Sequence, residues 1–216
     1  MTKSFDPFID LKNKTAMSSK AVEIIAREHC FQGFYRLDRL KLRHKLFSGE
    51  QSAVITRELF VRPDAVCMLP YDPIQDKVVF VEQVRVGAIE KSANPWMLEL
   101  VAGLIDKKDE DPQDVAYREA LEEANLEITD LLPISQYYPS VGGSDEYIYL
   151  YLGRCDSSEA GGVHGLESEG EDIRTHVWTY EQAVTNLQQG LIQNAASIIA
   201  LQWLMLNRDR VRQQWG

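Results

Sequence analysis

Residues 103–126 run GLIDKKDEDPQDVAYREALEEANL, and the second half of this stretch holds the deciding pattern. Arg118-Glu119-Ala120-Leu121-Glu122-Glu123 sets three carboxylates at i, i+3 and i+4 of a helix, within roughly a third of its circumference. Bare, such a face repels itself. A cation among the carboxylates removes the repulsion, and oxygen-only donors suit Mg²⁺ or Mn²⁺ rather than zinc. Taken alone, the triplet also fits a solvated acidic surface.

The flanks favour the first reading. Asp111-Pro112 supplies an N-cap and a first-turn proline, and Asn125 tolerates the left-handed conformation that ends a helix. Ala116, Ala120 and Ala124 form a narrow stripe that lets the helix lie close to a sheet. Residues 96–102, Trp-Met-Leu-Glu-Leu-Val-Ala, form an apolar run that reads as a strand closed by Gly103. The unit is therefore strand, glycine loop, acidic helix.

In order and spacing this unit resembles the Nudix box, Gly-x5-Glu-x7-Arg-Glu-U-x-Glu-Glu-x-Gly-U, where U is apolar. Glu110, Arg118, Glu119, Glu122 and Glu123 occupy its charged positions. Two places depart from it: six residues rather than five separate Gly103 from Glu110, and Asn125 stands at the second glycine. The first lengthens a loop and the second keeps left-handed tolerance. Neither removes a carboxylate.

The chain has 216 residues, 44% hydrophobic and 26% charged, which is ordinary for a globular protein with ample core. A net charge of −10 argues against a general nucleic-acid binder. Cys30, Cys67 and Cys155 are few and widely spaced, so they read as reduced thiols of a cytoplasmic protein. Residues 1–20 lack an apolar core and read as a loosely held arm. Nowhere do eighteen apolar residues run together, so neither secretion nor membrane spanning is expected.

Residues 22–28, 33–45 and 53–61 read as three strands. In the second, Arg39, Lys41, Arg43 and Lys45 alternate with Leu40, Leu42 and His44. That is the wet side of an antiparallel sheet, or an electrostatic guide for a phosphorylated ligand. Three short strands have too little apolar surface to stand alone, so they should pack on the second domain or on a partner chain. The expected domains are residues 1–62, a small N-terminal antiparallel β-sheet, and residues 63–216, an α/β catalytic domain. In the latter, strands are expected at 65–69, 78–84, 134–138, 147–153 and 176–178, with helices at 180–189 and from 194 to about 213. Arg85 follows a strand end, where loop residues line sites. Residues 156–172 form a glycine- and acid-rich segment. It reads as a solvated linker or, through Glu167, Glu169, Glu171 and Asp172, as a carboxylate lid.

Beyond the box, the chain is similar to the ADP-ribose pyrophosphatase branch of Nudix hydrolases from Val22 onward. The matching stretches include Glu82-Gln83-Val84-Arg85, Glu99-Leu100-Val101-Ala102-Gly103, Gly142-Gly143-Ser144, His164-Gly165-Leu166 and Asn194-Ala195-Ala196-Ser197. The resemblance implies a Nudix fold, a mixed β-sheet between helices, in a homodimer that exchanges its N-terminal sheet. It implies Mg²⁺, with Mn²⁺ as the alternative, at two or three ions per site held by Glu119, Glu122, Glu123, Glu171 and the Ala102 carbonyl. It also implies that Arg118 orients Glu110 and that Glu169 is the general base, with Glu167 its rival. Phe34 and Arg57 would border adenine, Arg85 would meet the phosphates, Leu104 would line the substrate and Glu146 would lie near the terminal ribose. The activity implied is hydrolysis of ADP-ribose to AMP and ribose 5-phosphate. The alternatives are hydrolysis of another nucleoside diphosphate derivative or a non-catalytic nucleotide sensor.

Overall fold

The computed structural model describes residues 17–107 and 109–216. The arm expected over residues 1–20 lies outside them as far as residue 16. The described chain forms two compact units. One runs to Pro63 and takes in Tyr137–Tyr147, and the other comprises Asp64–Gln136 and Ile148–Gly216.

The first unit is built on an antiparallel three-stranded sheet of β1 (Val22–Gln32), β2 (Arg36–His44) and β3 (Ile55–Val61). Its period-two pattern resolves into two faces. On one, Arg39 pairs with Glu28 at 3.2 Å and with Glu58 at 3.9 Å, and Arg43 pairs with Glu23 at 2.7 Å, all directly across the ladder. Arg39 and Arg43 therefore answer acids on the neighbouring strands, as an outer sheet face does. Asp38 points the other way and is fully buried, gathering Arg27, His29 and Arg36 within 3.3 Å. The segment Tyr137–Tyr147 joins this unit through the backbone. Phe60 N–H donates to the Gly143 carbonyl at 2.8 Å, and Arg62 N–H donates to the Asp145 carboxylate at 2.9 Å.

The second unit is an α/β layer structure. Its sheet runs in the order β10 (Gly162–His164), β11 (Ile173–Thr179), β5 (Lys77–Val84), β4 (Ala65–Asp72), β9 (Ile148–Cys155) and β8 (Ile128–Tyr137). β6 (Trp96–Glu99) pairs with β5, and β7 (Val101–Leu104) with β4. β4 and β9 are parallel while β4 and β5 are antiparallel, so the sheet is mixed. Alternation along β5 divides its core. Val79 and Val81 join Val66, Met68 and Val101 beneath α1 (Pro112–Ala124), whereas Phe80 turns to Trp178 on the opposite face. α2 (Tyr180–Gln188) and α3 (Ala195–Trp215) pack against the sheet from that second face, with Leu201 and Leu204 fully buried.

Several elements differ from their sequence expectation. The run over residues 96–102 is two strands, broken at Leu100, because its halves pair with different neighbours, and Gly103 lies inside the second. β8 begins at Ile128 rather than 134, since Pro133 is tolerated on a strand at the end of the sheet. Part of the acidic segment, read as a linker or a lid, is ordered as strand β10 and a 3-10 turn at Glu167–Glu169.

Candidate active site

α1 carries the acidic face, and its local signals are met in full. The Asp111 carboxylate accepts from the Gln113 N–H at 2.9 Å, with Pro112 in the first turn. At the other end Asn125 sits at φ 49, and the Leu126 N–H reaches the Ala120 carbonyl at 2.9 Å, closing the helix with a left-handed cap. Ala116, Ala120 and Ala124 are buried against the sheet. With no side chain longer than a methyl in that stripe, the helix settles so close that Glu123 is drawn into the same buried face.

Here the sheet and the helix carboxylates meet. Glu123 is 2% exposed, and its Oε2 accepts the Ala102 N–H at 2.9 Å. Glu119 lies against Gly103 so closely that a Cβ there would stand 2.0 Å from Oε1. Only glycine leaves that space. Burial, foremost, pushes Glu119 up to about 7, with the charges of Glu122 and Glu171 adding to the rise against the pull of Arg118. Burial likewise pushes Glu123 up to about 8, with Glu119 and Glu171 adding and the Ala102 N–H and Arg85 opposing. Glu119, Glu123 and Glu171 thus feel one another's charge although Glu171 comes from a separate loop.

Arg118 is the counter-charge within the helix. Its Nη1 donates to Glu119 at 2.7 Å and to Glu122 at 3.0 Å, while its Nε lies 3.9 Å from Glu110. Its closest partners are therefore Glu119 and Glu122, with Glu110, the partner the resemblance implies, in a longer ion pair. Glu110 uses its Oε1 in that pair, while its buried Oε2 has no hydrogen-bond partner.

The acid-rich loop returns to this helix. Gly165 N–H donates to the Glu122 carbonyl at 3.2 Å, and Leu166 N–H donates to the Glu171 Oε2 at 3.0 Å. Gly165 has φ 103, and a Cβ there would come within 2.7 Å of the Glu171 Cβ, so the loop base needs this glycine. Glu167 and Glu169 both stand exposed on the 3-10 turn above it. Neither position nor burial separates them as base candidates.

The donor set fits a hard dication: all oxygens, two carboxylates lifted toward neutrality by burial and mutual charge, and an orphaned buried oxygen on Glu110. Among the described residues no three acidic, histidine or cysteine side chains converge as a ready-made cation cage. Glu119 and Glu122 turn to Arg118, Glu123 to Ala102 and Glu171 to Leu166. Taking up a cation means exchanging some of these bonds.

Arg85 stands at the end of β5 and is bonded through its Nε to Glu99 at 2.7 Å. Leu104 is half-buried in β7, one residue beyond Gly103. Phe34, Arg57 and Glu146 belong to the first unit. Phe34 is exposed with its ring edge-on to Tyr35 at 4.8 Å, and Arg57 is exposed on β3. Glu146 is buried and paired with Arg62 at 3.1 Å. Glu99 and Asn194 received no role from sequence. The signal that could have raised Glu99 is a single carboxylate inside an otherwise apolar strand.

Comparison with known proteins agrees with this geometry. The NUDIX domain model matches residues 61–202. The ADP-ribose pyrophosphatase of Escherichia coli (strain K12) is 46% identical over 195 residues, covering 90% of this chain and 93% of that protein. That of Haemophilus influenzae is 43% identical over 201 residues, covering 92% of each. The GDP-mannose pyrophosphatase of Cronobacter sakazakii is 29% identical over 155 residues, covering 69% of this chain and 78% of that protein. A solved structure described as an ADP compounds hydrolase superposes with a TM-score of 0.66 at 19% identity, over 93% of this chain and 99% of that one, which shows a shared fold.

Proposed function

The chain belongs to the Nudix family, and we propose that it hydrolyses the diphosphate of ADP-ribose to AMP and ribose 5-phosphate. One observation carries the substrate: the likeness to ADP-ribose pyrophosphatases spans nearly the whole chain, whereas the likeness to GDP-mannose pyrophosphatases is weaker and shorter. Enzymes of this kind depend on a divalent cation. Mg²⁺, with Mn²⁺ as the alternative, at two or three ions per site belongs to the same proposal, and the all-oxygen donors Glu119, Glu122, Glu123 and Glu171 with the Ala102 carbonyl would hold either ion in preference to zinc. When bound, such ions neutralise diphosphate oxygens and make water a better nucleophile.

The chain's own side chains supply the rest. Glu169 takes a proton from the water that attacks one phosphorus as the bridging P–O bond breaks. Arg118 neutralises part of the carboxylate face, so Glu119 and Glu122 can sit on one helix surface without driving it apart. Arg85 offers its guanidinium to the phosphates, and Leu104 lines the substrate beside them. Phe34 and Arg57 border adenine and Glu146 receives the terminal ribose.

A second copy of the chain is the proposed partner. β1 is exposed along its whole length, with Val22, Ile24, Ile25 and Phe31 uncovered, which is more apolar sheet than an isolated unit leaves bare. Light scattering on eluting protein should give the mass of a dimer. Domain limits of 1–62 and 63–216, with exchange of the first between copies, belong to the same proposal. A cytoplasmic setting agrees with three free cysteines. Among the described residues no helix is long and apolar enough to cross a membrane. The charge of −10 weighs against nucleic acid as a partner.

The test is a substrate panel with product identification. ADP-ribose with Mg²⁺ should yield AMP with a higher kcat/KM than GDP-mannose. Binding without release of AMP would end the catalytic reading, and faster cleavage of GDP-mannose would move the substrate. Glu169→Gln should lower kcat by about 10²-fold or more with KM little changed, and an unchanged rate passes the base role to Glu167.

A further inference from the structure

Glu99 closes β6 and is almost wholly buried, yet both of its carboxylate oxygens are in use. Oε2 accepts the Nε–H of Arg85 at 2.7 Å, and Oε1 accepts the side-chain amide N–H of Asn194 at 3.0 Å. Asn194 is not free to turn over. It is the N-cap of α3, and its Oδ1 accepts the Ser197 N–H at 3.2 Å, so the amide nitrogen is the end that faces Glu99. A continuous tie therefore runs from the first turn of α3 through Asn194 and Glu99 to Arg85.

The tie decides how Arg85 presents itself. Its backbone N–H is already held by the Pro95 carbonyl at 2.9 Å. With Nε committed to Glu99, the two terminal nitrogens remain as a planar fork of donors. That fork is the arrangement by which a guanidinium grips two phosphate oxygens at once. Glu123 feels the charge of Arg85, so the guanidinium lies within electrostatic reach of the α1 carboxylates.

We infer that Glu99 is a positioning residue for diphosphate cleavage, acting through Arg85, with Asn194 as its anchor. This rests on the reading of Arg85 as a phosphate contact. The carboxylate is needed because two donors converge on it. A glutamine at 99 would give its carbonyl oxygen to one of them and turn its own NH₂ on the other, leaving one donor without an acceptor.

A double-mutant cycle tests it, with KM, kcat and melting temperature measured for each variant on ADP-ribose with Mg²⁺. Arg85→Ala should lose about 100-fold in kcat/KM, and Glu99→Gln about 10-fold, mainly through KM. In the Arg85→Ala background, Glu99→Gln should change kcat/KM less than about twofold, since its effect is already gone. Asn194→Ser keeps a good N-cap but removes the amide donor. It should cost about threefold, again only while Arg85 is present. If Glu99→Gln does not fold, Asn194→Ser carries the same comparison. Equal losses in both backgrounds, or a loss that disappears when rates are referred to folded protein, overturn the positioning role and leave Arg85 in place. Full activity in Arg85→Ala removes the phosphate reading itself and the inference with it.

Discussion

Stripped of divalent cations, the protein should lose stability as pH rises from 4.5 to about 8, with Glu119 and Glu123 setting the slope. Both carboxyls are deeply placed, Glu119 with 12% of its side chain exposed and Glu123 2% exposed overall. Burial raises them from 4.5 to about 7 and about 8. Between 4.5 and those values the unfolded chain has released protons that the folded chain still holds. Their contribution is therefore complete below the unfolded pKa and is lost as pH rises through the folded ones. For Glu119 alone, the interval from 4.5 to about 7, at about 1.4 kcal/mol per pH unit, is on the order of 3 kcal/mol. In a chain of this size that corresponds to roughly 6–12 °C in melting temperature. Glu119→Gln should raise the metal-free melting temperature at pH 8 and flatten the slope without abolishing it, because Glu123 remains. Saturating Mg²⁺ should act in the opposite sense. It binds the ionised carboxylates, so the stabilisation it confers should grow with pH. Thermal unfolding followed by circular dichroism, in chelator and in Mg²⁺ at matched ionic strength, reads both trends. A metal-free melting temperature that stays flat or rises over this range, or a Glu119→Gln variant with the parental slope, would refute the reasoning.

Three further outcomes follow from single contacts. Gly103→Ala drives a Cβ to within 2.0 Å of Glu119 Oε1 and 2.4 Å of its Cγ. It should cost about 1–3 kcal/mol and, by displacing a box carboxylate, at least about tenfold in kcat/KM; calorimetry and steady-state kinetics check it. Asp72 is buried and accepts from the N–H groups of Ile74, Gln75 and Ser157 and from the Ser157 hydroxyl, all within 2.9 Å. Asp72→Ala orphans those donors and should cost about 3 kcal/mol in a urea titration, with kcat per folded molecule unchanged. At Asn125, φ 49 predicts that Gly is tolerated within about 0.5 kcal/mol, whereas Val costs about 1–2 kcal/mol, measured by the same titration.

What was legible in the sequence is what short-range chemistry encodes. Asp111, Pro112 and Asn125 mark the ends of α1 through bonds spanning six residues or fewer, and they lie where those residue types predict. The alanine stripe and the carboxylate spacing give the helix its two faces without reference to the rest of the chain. The family followed from the same stretch. Pairing choices were not legible. Nothing between Trp96 and Leu104 announces that the first half meets β5 and the second β4. The joining of Tyr137–Tyr147 to the first unit depends on backbone bonds to Phe60, some eighty residues earlier. The ranking of Arg118's partners was not legible for a related reason. Spacing shows which carboxylates share its helix face, but only the rotamer decides that Glu119 and Glu122 outrank Glu110. Glu99 was hidden because its meaning lies in Asn194, ninety-five residues away.

The loop bearing Glu167 and Glu169 is tied at its base. Gly165 is bonded to α1, and Leu166 and Glu171 are bonded to each other in both directions. A backbone break above that base would not release it. Cleavage at a protease recognition site introduced at Ser168, which stands exposed between the two glutamates, should therefore yield two fragments that separate on a denaturing gel but elute together from a native column. The nicked protein would retain the carboxylates of α1 and of Glu171 while losing control over the two glutamates of the turn. Cutting the chain at this place separates the part of the loop that is scaffold from the part that carries the two candidate bases.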